Sequence, residues 1–294
     1  MTLHPLAGVS EKLRNADDHL HRLQDAALAY LNSGPNASII GEHDPDDSTR
    51  GVFRFNVLTE PPLKLAAIAG DAVHNMRSAL DYFVEEAVKA NGARPTFNHG
   101  FPVAATADAF KSALGKGKLL GISKKAANLV EGFQPYQVKP EARDRHPLAM
   151  LHALSNRDKH HMLAISALNA SLVWSFVADD GRVLRADRTT KPVRHGESLA
   201  EVPTEFVIDG QKAHLKFQIT TLIAFDEPSF PQGFDVLGAL QHIREFIGRF
   251  MFPAFIRCFD PLPEELQLRS HGITNLPIKV DLVGWDRARG APLD

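Results

Sequence analysis

The sequence predicts an α+β fold, a helical core with an inserted antiparallel β-meander, on three observations. Apolar residues recur at helical spacing near both ends of the chain. Two further helical segments in between carry unusual loads of polar groups. Residues 163–228 switch to period-two alternation. The 294 residues are read as a single elaborated domain, with helical core segments at about 6–32, 62–91, 147–162 and 234–258 and the β-rich part at 163–228.

Leu13, Leu20, Leu23, Ala27 and Leu31 recur on one face of a first amphipathic helix, which Ser33-Gly34-Pro35 stops. Residues 36–49 are rich in turn formers and acids and read as an exposed loop. Val52 to Leu58 alternates like a strand, and Pro61-Pro62 then opens a long helix to about Ala90. Between Asn91 and Arg145 turn signals dominate, with short helices at Ala105 to Leu114 and Ser123 to Phe133, giving a covering subregion. Pro147 suits the first turn of a helix running to about Met162. The meander follows: Ser171 to Val177, the Asp179-Asp180-Gly181 turn, Arg182 to Ala186, Thr204 to Ile208, the Asp209-Gly210 turn, and His214 to Phe225. Val236, Leu240, Ile243, Ile247 and Phe250 form a last helical stripe, which Pro253 kinks or ends.

Basic and acidic residues nearly balance, 33 against 35, so bulk charge does not make this a nucleic-acid-coating or membrane-surface protein. The single cysteine, Cys258, can form no intramolecular disulfide and fits a reducing compartment. No apolar run approaches the ~20 residues that span a bilayer, and a cytoplasmic location without membrane association is expected. Phosphate-loop, dinucleotide-binding and nucleophile-elbow motifs are missing. Gly115-Lys116-Gly117-Lys118 reads as a basic surface turn.

Two segments carry the chemistry. On the helix containing Gly70 to Asp81, Ile68, Ala72, Met76, Ala79, Leu80 and Phe83 share an apolar arc. Asp71, His74, Arg77, Ser78 and Asp81 line the other side, with Asn75 beside them. A solvated face usually carries Lys and Glu, as this helix does later at Glu85, Glu86 and Lys89. The stripe uses short or planar hydrogen-bonding groups instead, which form networks. In the second segment, His152, Asn156 and His160 follow one another by a helical turn with Lys159 alongside, while Asp158 faces inward. A carboxylate there needs a partner, and Arg77 is the expected one.

The pair Gly-Asp-Ala-Val-His-Asn-Met-Arg-Ser-Ala-Leu-Asp and Asn-Arg-Asp-Lys-His, with Phe133-Gln134-Pro135-Tyr136 between them, resembles a family of functionally uncharacterised bacterial proteins. A more distant likeness is to the HEPN superfamily, small helical domains of which many are metal-independent RNases using an arginine and a histidine with four to six residues between them on one helix. Here only three residues separate Arg157 from His161, and the stretch from Arg145 to His152 contains Pro147. The HEPN likeness implies His160 or His161 as general acid/base, Arg77 or Arg157 stabilising the phosphorane, and Asn156 and Lys159 positioning phosphate.

Three functions are expected to compete. The first is a metal-independent phosphodiester-cleaving toxin or defence protein without cofactor, with catalytic His74, Arg77, Asp158 and His160 and binding residues Asn75, Ser78, Asp81, Asn156 and Lys159. The second is a divalent-metal hydrolase or oxygenase using Asp71, His74, Asp81, His152 and His160. The third is a binding or structural module in which an Arg77–Asp158 pair merely clamps two helices. RNA or a small phosphorylated ligand is the expected partner, and a homodimer the expected assembly.

Overall fold

In a computed structural model the protein has the α+β architecture the sequence predicts. The structure describes residues 4–259 except 45, 48–49, 179, 190–192, 204–206, 209–210, 227–229 and 232–233, together with 285–286 and 291–292.

Helix α1, Ala7–Leu31, buries Val9, Leu13, Ala16, Leu20 and Leu23 at three- and four-residue spacing. A hairpin follows, β1 (Ala37–His43) against β2 (Arg50–Val57), with Ile39 opposite Phe55. The expected loop at 36–49 is thus half strand. Its polar composition hid Ser38-Ile39-Ile40, where two β-branched residues suit a pleated surface.

Helix α2, Leu63–Ala90, is the central strut and is buried nearly all round, from Leu65 and Ala69 to Val84 and Val88. It packs against α1, against α5 (Pro147–Asp158) and against α6 (Val236–Glu245). The short helices α3 (Ala107–Gly115) and α4 (Lys124–Gly132) lie in the covering subregion, and each N-cap hydroxyl, Thr106 and Ser123, accepts an amide of its own first turn. After α6 the helix widens into a π-helical segment, Phe246–Met251, before α7 (Phe252–Ile256). Pro253 withholds an amide there, so a wider turn relieves the ladder instead of a break. Phe255 stacks on Phe83 with ring centroids 3.6 Å apart, and Phe133 meets Phe255 edge-on.

The inserted sheet is antiparallel, but its strand order is β4-β3-β7-β6 rather than that of a sequential meander. Strand β3 (Ile165–Ala178) pairs with β4 (Val183–Thr189) on one side and with β7 (Gln211–Phe225) on the other. The two-residue β6 (Val207–Ile208) edges β7, and β5 (Ser198–Pro203) leaves this sheet to pair with β2. Periodicity reveals strands and not their partners, so a sequential order was the default reading. Residues 204–206 and the Asp209-Gly210 turn lie outside the described residues, as does Asp179. The first sheet is held further by the 194–197 turn, where Arg54 donates to the Gly196 carbonyl and His195 Nδ1 accepts the Val57 amide. Leu163, Ile223 and Phe225 join the same hydrophobic core as the helices. No described helix is long and apolar enough to cross a membrane.

Candidate functional site

Helix α5 runs antiparallel to α2. Asp158, its last residue, lies against Gly70, while His152, nearly two turns earlier, feels the charge of Arg77 further along α2. Gly70 permits the approach. A Cβ at this position would meet Asp158 Oδ1 at 2.4 Å, which explains a glycine inside a long helix, where it otherwise weakens the helix by about 1 kcal/mol relative to alanine.

Asp158 is half-buried, and loss of hydration together with the charge of Asp71 pushes its carboxyl above the ordinary range, opposed by His74. His74 is exposed, with Nε2 3.4 Å from the Ser78 hydroxyl. On α5, His152 Nε2 and Asn156 Nδ2 lie 3.0 Å apart. Desolvation, then the positive charges of Arg77 and Lys159, holds the His152 imidazole below its usual pKa.

The expected Arg77–Asp158 pair does not form. Arg77 turns the other way, donating from Nη2 to Asp81 Oδ1 at 2.9 Å and to the Phe101 carbonyl at 2.5 Å. Asp81 also accepts the Phe101 amide at 2.8 Å, so one carboxylate fastens both α2 and the covering subregion. The i,i+4 spacing of Arg77 and Asp81 within one helix is a signal the sequence reading passed over. Arg77 Nη1 is buried without a hydrogen-bond partner.

Asn75 is buried and satisfied locally, donating to the Asp71 carbonyl while Lys12 Nζ approaches its Oδ1 at 3.5 Å. His160 is not on the helix. α5 ends at Asp158 with Lys159 as C-cap, and the amides of His160 and His161 both turn back to the Arg157 carbonyl, leaving His160 exposed past the end of the helix. The one-turn succession from Asn156 to His160 therefore does not hold. The alternative metal set is also dispersed, since Asp81 is engaged with Arg77 and Phe101. Among the described residues no group of three or more His, Cys, Asp or Glu could hold a metal ion.

Helix α1 adds groups the motif reading did not include. His19 Nδ1 lies 3.8 Å from Asp71 Oδ2, and Lys12 sits over the Tyr82 ring at 5.7 Å. Local periodicity marks both only as polar positions on α1, so no sequence signal couples them to α2. The third stretch of family-like sequence is structural. Buried Gln134 accepts the Ala104 amide and donates to the Pro102 and Val130 carbonyls, stapling the covering subregion. A separate cavity of about 590 Å³ opens at the start of α2, between Pro61, Leu63, Leu163 and Ile165, with the Arg194–Asp226 ion pair on its wall.

No protein-family model matches the chain, and neither a curated protein nor a solved structure does.

Proposed function

We propose that the α2–α5 junction around Asp158 and His74 is a metal-independent acid/base site that cleaves single-stranded RNA, in a protein of toxin or defence type. The observation that carries this reading is Asp158, a carboxyl raised by burial and by Asp71 and placed against Gly70 beside His74. Such a carboxylate is a stronger base than an ordinary one and still reaches solvent. It takes the proton of a ribose 2′-hydroxyl as that oxygen bonds to the adjacent phosphorus. The P–O5′ bond breaks, and protonated His74 supplies the proton to the departing oxygen. The products are a 2′,3′-cyclic phosphate and a 5′-hydroxyl. Lys159 and Asn156 carry the phosphate charge, with the acid/base work at Asp158 and His74 rather than at His160. Arg77, committed to Asp81 and Phe101, positions α2 and does not touch substrate.

Purified protein is expected to cut labelled single-stranded RNA in excess EDTA and to leave DNA of the same sequence intact, because only RNA carries the nucleophile. His74→Ala and Asp158→Asn should each lower the rate by about 10²–10⁴, the usual contribution of a general acid or base, with unchanged circular dichroism. Absent cleavage, or undiminished cleavage by both variants, overturns the proposal. It would favour the second reading, a structural clamp, for which the pairing of Arg77 with Asp81 and Phe101 speaks.

A further inference from the structure

The covering subregion presents a surface that neither the core nor the proposed site requires. Between residues 94 and 125 the chain places six basic side chains, Arg94, Lys111, Lys116, Lys118, Lys124 and Lys125, against the single acid Asp108, in a protein whose overall charge is −2. Phe97 is 95 % exposed and Leu120 73 % exposed. Exposure that complete is unusual for a phenylalanine, whose burial is ordinarily worth ~1.5–3 kcal/mol.

The backbone folds the stretch around Phe97 onto the lysine-bearing turn at 116–121. The Gly100 amide bonds to the Lys118 carbonyl, His99 Nε2 lies 2.7 Å from the Leu120 carbonyl, and Asn91 Nδ2 donates to the Gly121 carbonyl. Gly117 and Gly121, at φ +77° and +84°, supply the left-handed turns on either side of Lys118 and Leu120. The Gly-Lys-Gly-Lys run is therefore one edge of this patch. The same segment reaches the Arg77–Asp81 end of the α2–α5 interface, since Gly100 abuts Asp81 and the Phe101 amide is bonded to it.

We infer that the 94–125 surface is a binding platform for single-stranded RNA, with Phe97 stacking on a base and Arg94, Lys111, Lys116 and Lys124 contacting phosphates. The inference rests on the proposed RNA-cleaving site and names how its substrate is held. Charge complementarity selects a polyanion. An exposed aromatic ring on a segment bonded to a lysine-bearing turn suits unpaired bases, whose π-faces are free to stack, and it supplies affinity with little sequence preference.

The test separates binding from cleavage by using a 2′-O-methyl oligoribonucleotide, which lacks the nucleophile and cannot be cut. Fluorescence anisotropy of the labelled oligomer with the full chain should give salt-dependent binding. Phe97→Ala should weaken it by roughly 5- to 150-fold, the range of one lost base stack. A combined Lys111→Ala, Lys116→Ala and Lys124→Ala variant should flatten the slope of log affinity against log salt by about 0.7 per lost phosphate contact. All four positions are exposed, so folding is unaffected. No binding at low salt, binding unchanged by both surface variants, or binding only to phosphatidylserine vesicles overturns the inference. Tight, variant-sensitive binding with no cutting of unmodified RNA would sink the cleavage reading and leave the platform standing.

Discussion

The two ends of the α2–α5 interface use similar residues to opposite effect. At the far end Arg77 and Asp81 satisfy one another and close onto the Phe101 backbone, so the charges are committed. At the near end Asp158 has loss of hydration and a neighbouring carboxylate against it and only His74 in its favour. An arginine, an aspartate and a helical stripe thus do not make a functional site by themselves. What distinguishes the ends is whether each charge is compensated.

The largest effect is expected where compensation is removed. Asp81→Ala strands a mostly buried guanidinium, whose side chain is 18 % exposed, together with the Phe101 amide, and should destabilise by about 2–4 kcal/mol in urea unfolding. A loss below half a kcal/mol would mean that the closed end is not a clamp.

Next comes acid. His146, the buried N-cap of α5, accepts the Leu148 amide through Nδ1, and burial, helped by the charge of His242, pushes its pKa down to about 3. Its contribution is fully present above the ordinary value near 6.5 and is lost as pH falls towards 3, at a slope approaching ~1.4 kcal/mol per pH unit. Asp158 has the opposite sign: its raised carboxyl penalises the folded state above its own pKa, and that penalty disappears as pH falls through it. Unfolding free energies at pH 7 and 5 should show the His146 loss in the parent and not in His146→Asn.

Gly70→Ala sharpens the comparison further. The atom it meets is the end of a side chain, so Asp158 swings aside and stability changes by no more than about 1 kcal/mol, with alanine's helix preference offsetting the crowding. The Asp158 carboxyl, followed by NMR titration, should return towards its ordinary range, and an unmoved titration would refute the role given to Gly70. The smallest effect is reserved for Asp158→Asn, neutral to slightly stabilising at pH 7 because an unfavourable charge is removed.

The sequence carried the helices well because periodicity and punctuation are local. Ile68, Ala72, Met76, Ala79, Leu80 and Phe83 are all buried as the apolar arc required, and Pro147 does open α5. The polar composition of the stripe set Asp71, His74, Arg77 and Asp81 apart from the solvated end of the same helix. What local pattern could not carry was partner choice. Arg77 pairs with the carboxylate one turn along its own helix, while Asp158 lies at the other end of the interface against Gly70. Lys12 and His19 come from another helix, and the pairing of β5 with β2 joins distant segments. The end of α5 was placed too late because Lys159, His160 and His161 carry no helix-breaking residue, and the exit towards β3 is set by burial of Leu163.

That distant pairing bears on the order of events during synthesis. Arg54 and Gly196, which meet beside the β2–β5 ladder, are 142 residues apart in the chain. The β1–β2 hairpin leaves the ribosome with the outer edge of β2 bare, and it stays so until α2, α5 and the β3–β4 hairpin have all emerged. Ribosomal elongation of ~5–20 residues per second makes that interval about 7–30 seconds, far longer than the microseconds a hairpin needs to form. The nascent protein therefore carries an unpaired strand edge through about half of its translation, and the charges of Arg50 and Arg54 along that edge guard it against pairing with another chain.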